Sequence, residues 1–299
     1  MIIIDYSGIA MASLFSQVGR SKEVEEGLIR HLILNTILSY NQKFGKEYGG
    51  RGVVIACDAR SWRKDYFPEY KASRRTSRES SAIDWKKYYA IIDLVQGEIR
   101  ENLPYQVLKL SGMEADDIIA TLAIKYATPL ERVMIISSDH DFIQLQQNKN
   151  IRQFSPLTKK LVSDSSPVKY LLEHIFRGDT GDGIPNILSD DRVFIEKRRQ
   201  TPVSQKKIDE WIANIDRLET VMPAEVYRNY SRNRKLIQLD QIPAENKATI
   251  ISAHETLQTA PQSRVLNYLI DKRCTGLIPH TSGFFVAAGL PAATEYSIY

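Results

Sequence analysis

Cysteine is scarce in this sequence of 299 residues, which contains only Cys57 and Cys274, far apart and outside any zinc-binding spacing. This scarcity argues against a disulfide-stabilised fold and against a cysteine-ligated zinc site, and it is typical of cytosolic proteins. No apolar run reaches the roughly 18 residues that suggest a membrane span. The first residues, Met1 to Asp5, lack the basic start of a secretory signal. We therefore expect a cytoplasmic protein that makes no membrane contact.

The sequence also lacks a strong excess of charge of one sign. Its 40 Lys and Arg residues against 36 Asp and Glu residues leave a formal net charge of +4, which is weak support for nucleic-acid binding. Hydrophobic residues make up 43% and charged residues 25%, and these ordinary values argue against a disordered chain. The length allows one large α/β domain or two smaller domains.

Short β-branched runs alternate with helical patterns in the first half of the chain. The runs are residues 2–4, 53–56, 105–108 and 133–136, and the helical patterns span about 23–45, 85–102 and 115–127. This alternation predicts an α/β fold with a mostly parallel central sheet flanked by helices on both faces. After Pro167 the strand signals give way to short helices, near 204–213, 223–235 and 261–272. We predict a core of residues 1–175 and a second, helical region of residues 176–299.

Three of the predicted strands run directly into an acidic residue, at Asp5, Asp58 and Asp139. Ligands of parallel sheets bind beyond the carboxyl ends of the strands, so we expect these acids at one edge. Further acids lie in three short motifs, which complete a set of nine: Asp5, Asp58, Glu114, Asp116, Asp117, Asp139, Asp141, Asp179 and Asp182. Carboxylates crowded together raise one another's pKa, and only cations make such a cluster stable.

Carboxylate oxygens without cysteine or clustered histidine favour hard cations, Mg²⁺ in particular. Two such ions about 4 Å apart can activate a water and stabilise the leaving oxygen of a phosphoryl displacement, so phosphodiester hydrolysis is the implied chemistry. Each motif alone also has a structural interpretation. The acids from Glu114 to Asp117 can stabilise a helix start by roughly 0.3–1 kcal/mol. Residues 137–141 can be an extended strand with both acids on one side, or a turn, and residues 178–183 can be a turn.

A basic and aromatic segment follows the second acid and shows no apolar stripe. Between residues 60 and 78, seven basic residues interleave with four aromatic residues: Arg60, Arg63, Lys64, Lys71, Arg74, Arg75 and Arg78, with Trp62, Tyr66, Phe67 and Tyr70. Cations for phosphates and rings for unstacked bases predict a platform for a single strand. The alternative is a solvated charged loop.

Two further basic clusters lie in the second region. The first can contact the phosphates of a duplex, or form an ordinary exposed surface: Lys197, Arg198, Arg199, Lys206 and Lys207. The second reads better as an exposed helix face: Arg228, Arg232, Arg234 and Lys235.

Taken in this order, the motifs resemble those of the 5′-nuclease (flap endonuclease) superfamily, and within it the ribonuclease H type of T-even bacteriophages. The resemblance spans nearly the whole chain, and it is carried by Ile4-Asp5-Tyr6-Ser7, Ala56-Cys57-Asp58, Tyr70-Lys71-Ala72-Ser73-Arg74, Glu114-Ala115-Asp116-Asp117, Ser138-Asp139-His140-Asp141 and Gly178-Asp179-Thr180-Gly181-Asp182. It implies a Mg²⁺-dependent 5′→3′ exonuclease and flap endonuclease that acts on RNA–DNA and DNA duplexes and removes lagging-strand primers in phage replication. Many relatives continue into a glycine-rich helix–hairpin–helix with a monovalent cation. Here Gly183-Ile184-Pro185 departs from that pattern.

The resemblance also implies roles for individual residues. The first of two Mg²⁺ ions, for which Mn²⁺ can substitute, would be held by Asp5, Asp58, Glu114, Asp116 and Asp139. The second would lie toward Asp117, Asp141, Asp179 and Asp182. Residues 60–84 would form an arch over the passing strand, with Lys71 and Arg75 at the scissile phosphate. Asp116 would be the main catalytic carboxylate. Further nucleic-acid contacts would come from Arg63, Lys64, Tyr70 and Arg74.

The partners implied by the resemblance are forked or flapped DNA, RNA–DNA hybrids, a single-stranded-DNA-binding protein and a sliding clamp, with the protein itself a monomer. Two other functions fit parts of the pattern. One is a PIN-like ribonuclease that cuts single-stranded RNA, which would leave the arch and the helical region without a role. The other is a non-catalytic protein that binds DNA junctions and whose acids only balance basic neighbours.

Overall fold

The computed structural model describes residues 1–18, 24–74, 81 and 83–285. Its centre is a six-stranded sheet with the strand order β3-β2-β1-β4-β5-β6. The strands are β1 (Ile2–Asp5), β2 (Val53–Cys57), β3 (Gln106–Lys109), β4 (Val133–Ile136), β5 (Ile151–Ser155) and β6 (Lys160–Val162). Neighbouring strands are parallel except β6, which runs antiparallel to β5. The predicted α/β fold with a mostly parallel sheet is confirmed.

Helices occupy much of the described chain. They are α1 (Tyr6–Val18), α2 (Glu26–Tyr48), α3 (Arg63–Tyr66), α4 (Trp85–Asn102), α5 (Ala115–Tyr126), α6 (Pro167–Arg177), α7 (Gln205–Ala213), α8 (Leu218–Val221), α9 (Ala224–Ile237), α10 (Ala244–Thr256) and α11 (Arg264–Asp271). Short 3₁₀ segments join them, notably His140–Gln147 after β4 and Thr275–Phe284 after α11. None of the described helices is long and apolar enough to cross a membrane.

The two faces of the sheet are covered by different helices because side chains alternate along each strand. On one face Ile2 and Ile4 of β1 pack against α1, α2 and α4. On the other face Met1 and Ile3 pack against α5 and the 3₁₀ segment His140–Gln147. The strands are buried on both sides, which explains why they read as continuous apolar runs rather than alternating ones.

Helices late in the sequence return to the sheet on both faces. Leu239, Ile242 and Ile250 join the core that contains Ile3. Val265, Tyr268, Leu269, Leu277 and Phe284 join the core that contains Ile2 and Ile4. Residues 239–284 therefore share the cores of the amino-terminal sheet. The division into 1–175 and 176–299 stays a prediction.

A third core is separate from the two cores on the sheet faces and is formed mainly by α6, α7 and α9. It includes Phe176, Trp211 and Tyr230, whose rings pack on one another, with Phe176 centred 5.3 Å from Trp211 and 5.5 Å from Tyr230. Phe67 and Tyr70, from the basic and aromatic segment, are buried in the same core. The beginning of that segment is thus packed protein, whereas the sequence predicted a polar insertion without an apolar side.

The four predicted strands lie within one residue of their observed positions, and the predicted helices at 85–102 and 115–127 match α4 and α5. The predicted helix at about 23–45 corresponds to α2, and those near 204–213, 223–235 and 261–272 correspond to α7, α9 and α11. The sequence did not predict α1, α3, α6, α8, α10, β5 or β6.

Candidate metal centre

Three strands deliver acids to one edge of the sheet, as the sequence predicted. Asp5 is the last residue of β1, Asp58 follows the end of β2, and Asp139 lies three residues beyond the end of β4. Since β2, β1 and β4 are adjacent and parallel, their carboxyl ends meet at the same edge. Asp116 joins them from the first turn of α5.

The carboxylates at this edge are oriented by neutral donors. Asp5 accepts hydrogen bonds from the Gly8 backbone N–H at 3.0 Å and from Ser137 Oγ at 2.9 Å. Asp58 accepts one from the Ala115 backbone N–H at 2.8 Å and one from Ser7 Oγ at 2.5 Å. These donors fix the direction of each carboxylate without neutralising its charge.

Asp139 caps the 3₁₀ segment that follows it, because its Oδ1 accepts the Asp141 backbone N–H at 2.9 Å. The chain therefore turns at this motif, and the alternative of a continuing strand was wrong. Asp116 accepts no hydrogen bond from any described residue. The four carboxylates at this edge form no ion pair with a cation of the described part of the chain: Asp5, Asp58, Asp116 and Asp139.

Burial and mutual repulsion raise the pKa of three carboxylates at this edge. Burial raises the pKa of Asp5 to about 6, and the neighbouring charge of Asp58 adds to the rise. Burial and the charge of Asp141 raise the pKa of Asp139 to about 7. Burial and the charge of Asp139 hold the pKa of Asp116 well above its usual range. A bound cation would stabilise the ionised carboxylates and so oppose these shifts, and the donor set therefore fits one.

Glu114 has a different environment, because protein donors surround its carboxylate. Its Oε2 accepts from Ser61 Oγ at 2.5 Å, from Tyr70 OH at 3.0 Å and from Arg63 Nη1 at 3.1 Å. Its Oε1 lies 2.6 Å from Lys71 Nζ. Burial would raise the pKa of Glu114, but the charges of Lys71 and Arg63 hold it below its usual value.

Asp117 faces away from the open edge, which corrects its expected place at the second cation. Its side chain is fully buried, its Oδ1 lies 2.9 Å from Arg63 Nη1, and its Oδ2 accepts the Glu114 backbone N–H at 2.9 Å. Successive residues on a helix point about 100° apart, so Asp117 points into the protein while Asp116 faces the edge. Asp117 caps and anchors α5, as the structural interpretation of this motif held.

Lys71 is held between Glu114 and Asp182 at the base of the basic segment. Its Nζ lies 3.5 Å from Asp182 Oδ2, and its backbone N–H donates to the Asp182 carbonyl at 2.7 Å. The backbone of Lys71 is left-handed, with φ 57°. Asp182 also accepts from Tyr70 OH at 2.9 Å and from Arg74 Nη2 at 2.5 Å. Backbone and side-chain hydrogen bonds thus join the basic segment to the Asp179–Asp182 motif.

A second group forms where Asp141 and Asp179 meet at His174. His174 Nδ1 lies 3.2 Å from Asp141 Oδ1, and Nε2 lies 3.4 Å from Asp179 Oδ2. Burial would lower the pKa of His174, but the hydrogen bonds to Asp141 and Asp179 outweigh it and raise the pKa to about 10. The sequence patterns assigned no role to this histidine. The feature of the sequence that could have indicated this role is the position of His174, five residues before Asp179, with the turn-forming Gly178 between them.

Two predicted nucleic-acid contacts are not accessible. Arg63 is 3% exposed and is bound by Glu114, Asp117 and the Leu236 carbonyl. Tyr70 is 2% exposed. Both residues therefore build the site rather than touch a strand. Arg75 and Arg78 lie outside the described residues.

Other predicted contacts do reach solvent. Lys64 and Tyr66 are exposed at the start of the basic segment, and Arg74 is exposed beside Asp182. Further along, Arg198 is exposed but paired with Asp190 and Glu196. The remaining members of its cluster are exposed and form no ion pair with a described residue: Lys197, Arg199, Lys206 and Lys207. In the other cluster Arg228 and Arg232 pair with Asp191, and Arg232 is buried.

A cavity of about 490 Å³ opens beside the acidic edge. Its lining includes Asp58, Glu114, Lys71, Met11 and Tyr89. The space is large enough for a nucleotide next to the carboxylates.

Comparison with known families divides the sequence into two overlapping matches. Residues 1–171 match the family described as 5′-3′ exonuclease, N-terminal resolvase-like domain. Residues 165–284 match the family described as T4 RNase H, C terminal. The ribonuclease H of Enterobacteria phage T4 is 31% identical over 277 residues, which cover 90% of each chain. A flap endonuclease Xni from Shewanella oneidensis is 34% identical over 144 residues, covering 45% of this chain and 51% of the relative.

Solved structures share the fold at lower identity. A flap endonuclease of bacteriophage T5, in a pseudo-enzyme-product complex with DNA and metal ions, superposes with a TM-score of 0.59 at 18% identity. The superposition covers 85% of this chain and 99% of that one.

Proposed function

This chain belongs to the 5′-3′ exonuclease family of the T4 ribonuclease H type, and we propose that it needs Mg²⁺. Membership of this family makes it a 5′-nuclease that hydrolyses phosphodiester bonds. Its proposed substrates are DNA and RNA–DNA duplexes, which it would cut from the 5′ end and at 5′ flaps. In a replicating phage this activity would remove the RNA primers of the lagging strand. The observation that carries the proposal is the cluster of four carboxylates without an ion-pair partner in the described chain: Asp5, Asp58, Asp116 and Asp139.

The chemistry of the donor set supports Mg²⁺ as the cation. Asp5, Asp58, Asp116 and Asp139 offer only oxygen atoms, which hard divalent cations prefer. Glu114 would act mainly through Lys71 and Arg63, since protein donors already occupy its oxygens. When bound, the ions would supply an activated water and stabilise the leaving oxygen. A second ion would be held by Asp141 and Asp179, with Asp182 nearby.

Lys71 is the described cation best placed to meet a scissile phosphate. Its ammonium lies between Glu114 and Asp182 at the rim of the cavity beside the acids. The backbone bond to Asp182 fixes the position of the lysine before substrate arrives. A fixed positive charge costs no reorganisation during the reaction, so it favours the transition state in particular.

The duplex would lie over the exposed basic residues of the helical region. Lys197, Arg199 and Lys206 form no ion pair with a described residue, so their charges are free to contact phosphates. Lys64 and Tyr66 would contact the single strand near the acidic edge. A single-stranded-DNA-binding protein, a sliding clamp and a monomeric state stay predictions of the family resemblance.

The test is cleavage of a 5′-labelled forked duplex by wild type and by Asp116→Asn, with Mg²⁺ and with EDTA. We expect cutting near the junction only with Mg²⁺, and a rate at least about 100-fold lower in the variant with binding of the fork retained. A plain RNA strand serves as the comparison substrate. Preferred cutting of that strand would indicate a single-strand ribonuclease, and binding of the fork without any cutting would indicate a non-catalytic junction-binding protein.

A further inference from the structure

We propose that His174 is a nitrogen ligand of the second cation, so that the group of Asp141, His174 and Asp179 binds Mn²⁺ in preference to Mg²⁺. This inference rests on the proposed function, because it assumes that a catalytic cation binds beside Asp141 and Asp179. It gives the two cation positions of the centre different chemistry.

The fold brings His174 and Asp179 together through a turn that only glycine allows. His174 lies in the last turn of α6, which ends at Gly178. Gly178 has a φ of +68°, and a Cβ on it would clash with the carbonyl oxygen of Ile184. Asp179 then pairs with Ile184 through two backbone hydrogen bonds of 2.8 and 2.7 Å. This closed turn holds the carboxylate of Asp179 beside the imidazole.

The spacing of the donor atoms suits a coordination sphere. One ligand atom from each of Asp141, His174 and Asp179 lies within 4.8 Å of the others. The contacts of 3.2 and 3.4 Å between imidazole nitrogen and carboxylate oxygen are longer than the roughly 2.7–2.9 Å of a strong charged hydrogen bond. Neighbouring donors around an ion with bonds of about 2.1 Å lie roughly 3.0–3.4 Å apart, so the contact of whichever nitrogen binds the ion has the spacing of two ligands.

Only one ring nitrogen can bind the ion, and the structure provides a partner for the other. The second nitrogen would donate its N–H to the carboxylate that it already faces. Histidines that bind metals usually have such a carboxylate behind them, since it fixes the tautomer and the direction of the ring. The Tyr170 ring, centred 6.1 Å away and packed edge-on, further limits the rotation of the imidazole.

A nitrogen donor changes which ion is preferred. Mg²⁺ selects carboxylate, carbonyl and water oxygens, whereas Mn²⁺ favours oxygen ligands too but, as a transition metal, accepts an imidazole nitrogen more readily than Mg²⁺ does. The position near Asp5, Asp58, Asp116 and Asp139 has no histidine hydrogen-bonded or ion-paired to its acids among the described residues. At the same concentration of one metal ion, the two cation positions would therefore be occupied to different extents.

A competing account makes His174 a permanent positive bridge that replaces the ion. The two accounts predict opposite effects of removing the imidazole. If His174 is a ligand, its loss weakens Mn²⁺ binding. If it is a bridge, its loss frees two carboxylates and strengthens Mn²⁺ binding.

The experiment is a Mn²⁺ titration of the full chain, followed by the electron paramagnetic resonance of free Mn²⁺, for wild type, His174→Gln and His140→Gln. His140 is an exposed histidine between Asp139 and Asp141, and it is the matched control. We expect His174→Gln to bind Mn²⁺ at one position about 10–100-fold more weakly, with Mg²⁺ competition changed by less than about threefold. His140→Gln should match wild type. Unchanged or tighter Mn²⁺ binding by His174→Gln would overturn the proposal.

A second measurement needs no stable variant. Electron spin echo modulation of the wild-type protein loaded with Mn²⁺ should show coupling to a ¹⁴N nucleus, and its absence at full occupancy would overturn the proposal. Cleavage of the forked duplex by wild type with Mg²⁺ is scored separately. If that cleavage is present while the nitrogen coupling is absent, the nuclease function stands and only the role of His174 fails.

Discussion

The guanidinium of Arg63 lies 2.9 Å from the fully buried carboxylate of Asp117, and this pair gives two adjacent acids on one helix different roles. Asp117 is neutralised inside the protein, while Asp116, the preceding residue, forms no ion pair with a described cation. The first stabilises the position of the helix, and the second supplies charge for a cation.

Replacement of these two acids should affect the free energy of unfolding differently. Asp117→Asn leaves the buried Arg63 with Glu114 as its remaining ion-pair partner, so we expect a loss of about 1–3 kcal/mol in the free energy of unfolding. Asp116→Asn removes a repelling charge, so metal-free protein should lose no stability. Urea unfolding in EDTA measures both variants. Equal losses in the two variants would contradict the assignment.

Lys71→Ala should reduce cleavage far more than binding. The ammonium is proposed to meet charge that develops in the transition state, so we expect turnover about 100-fold lower and little change in affinity for the fork. Lys64→Ala is the matched comparison, because Lys64 is exposed and should contribute to affinity alone. Rapid-quench cleavage at saturating substrate separates these effects. If Lys71→Ala lost only affinity, Lys71 would be a phosphate anchor.

The affinity for Mg²⁺ should rise with pH across the range in which the crowded acids ionise. The pKa of Asp5 is about 6 and that of Asp139 about 7 in the metal-free protein, and the cation binds the ionised forms. Each proton that must leave adds up to about tenfold in affinity per pH unit. Calorimetric titration between about pH 5.5 and 7.5 measures this rise, and a flat profile would contradict it.

Stability of the metal-free protein should follow the opposite course. An acid whose pKa is raised by folding favours the folded state most when protonated, so this contribution is present below about pH 4 and is lost as pH rises through 6 and 7. Mg²⁺ should therefore raise the melting temperature more at about pH 8 than at about pH 5. Scanning calorimetry with Mg²⁺ and with EDTA tests this, and an increase independent of pH would be the contrary result.

The salt dependence of duplex binding should identify the cations that bind phosphates. Removal of one phosphate-binding cation lowers the slope of log affinity against log salt by about 0.9. We expect this change for Arg199→Gln and for Lys206→Gln. Arg228→Gln should leave the slope unchanged, because Arg228 is already paired with Asp191. Fluorescence anisotropy at several salt concentrations provides the slopes.

Much of the sheet could be predicted because its strands are buried on both faces and read as apolar runs. β5 was not predicted because Arg152 and Gln153 interrupt its apolar run. Gln153 is fully buried, yet its amide donates to the carbonyls of Ser137 and Asp139, which lie far away in sequence. A polar residue satisfied by tertiary contacts cannot be recognised from local pattern.

The acidic edge could also be predicted, because it follows from strand ends and the direction of the sheet. What could not be predicted was how each charge is balanced. Arg63 reads as a surface cation beside Lys64, but it is buried because Glu114 and Asp117 lie opposite it. Helix periodicity alone separates Asp116 from Asp117, and that part of the site was within reach of the sequence.

The return of residues 239–284 to both faces of the sheet has a consequence for synthesis of the chain. β1 to β4 leave the ribosome first, but the sheet is covered in part by segments made last, with Ile250 on one face and Leu269 on the other. Apolar surface of the early half therefore stays exposed until the late half of the chain has been synthesised. We expect a chain that ends after residue 175 to leave this apolar surface exposed. It would bind chaperones rather than fold into a smaller active nuclease.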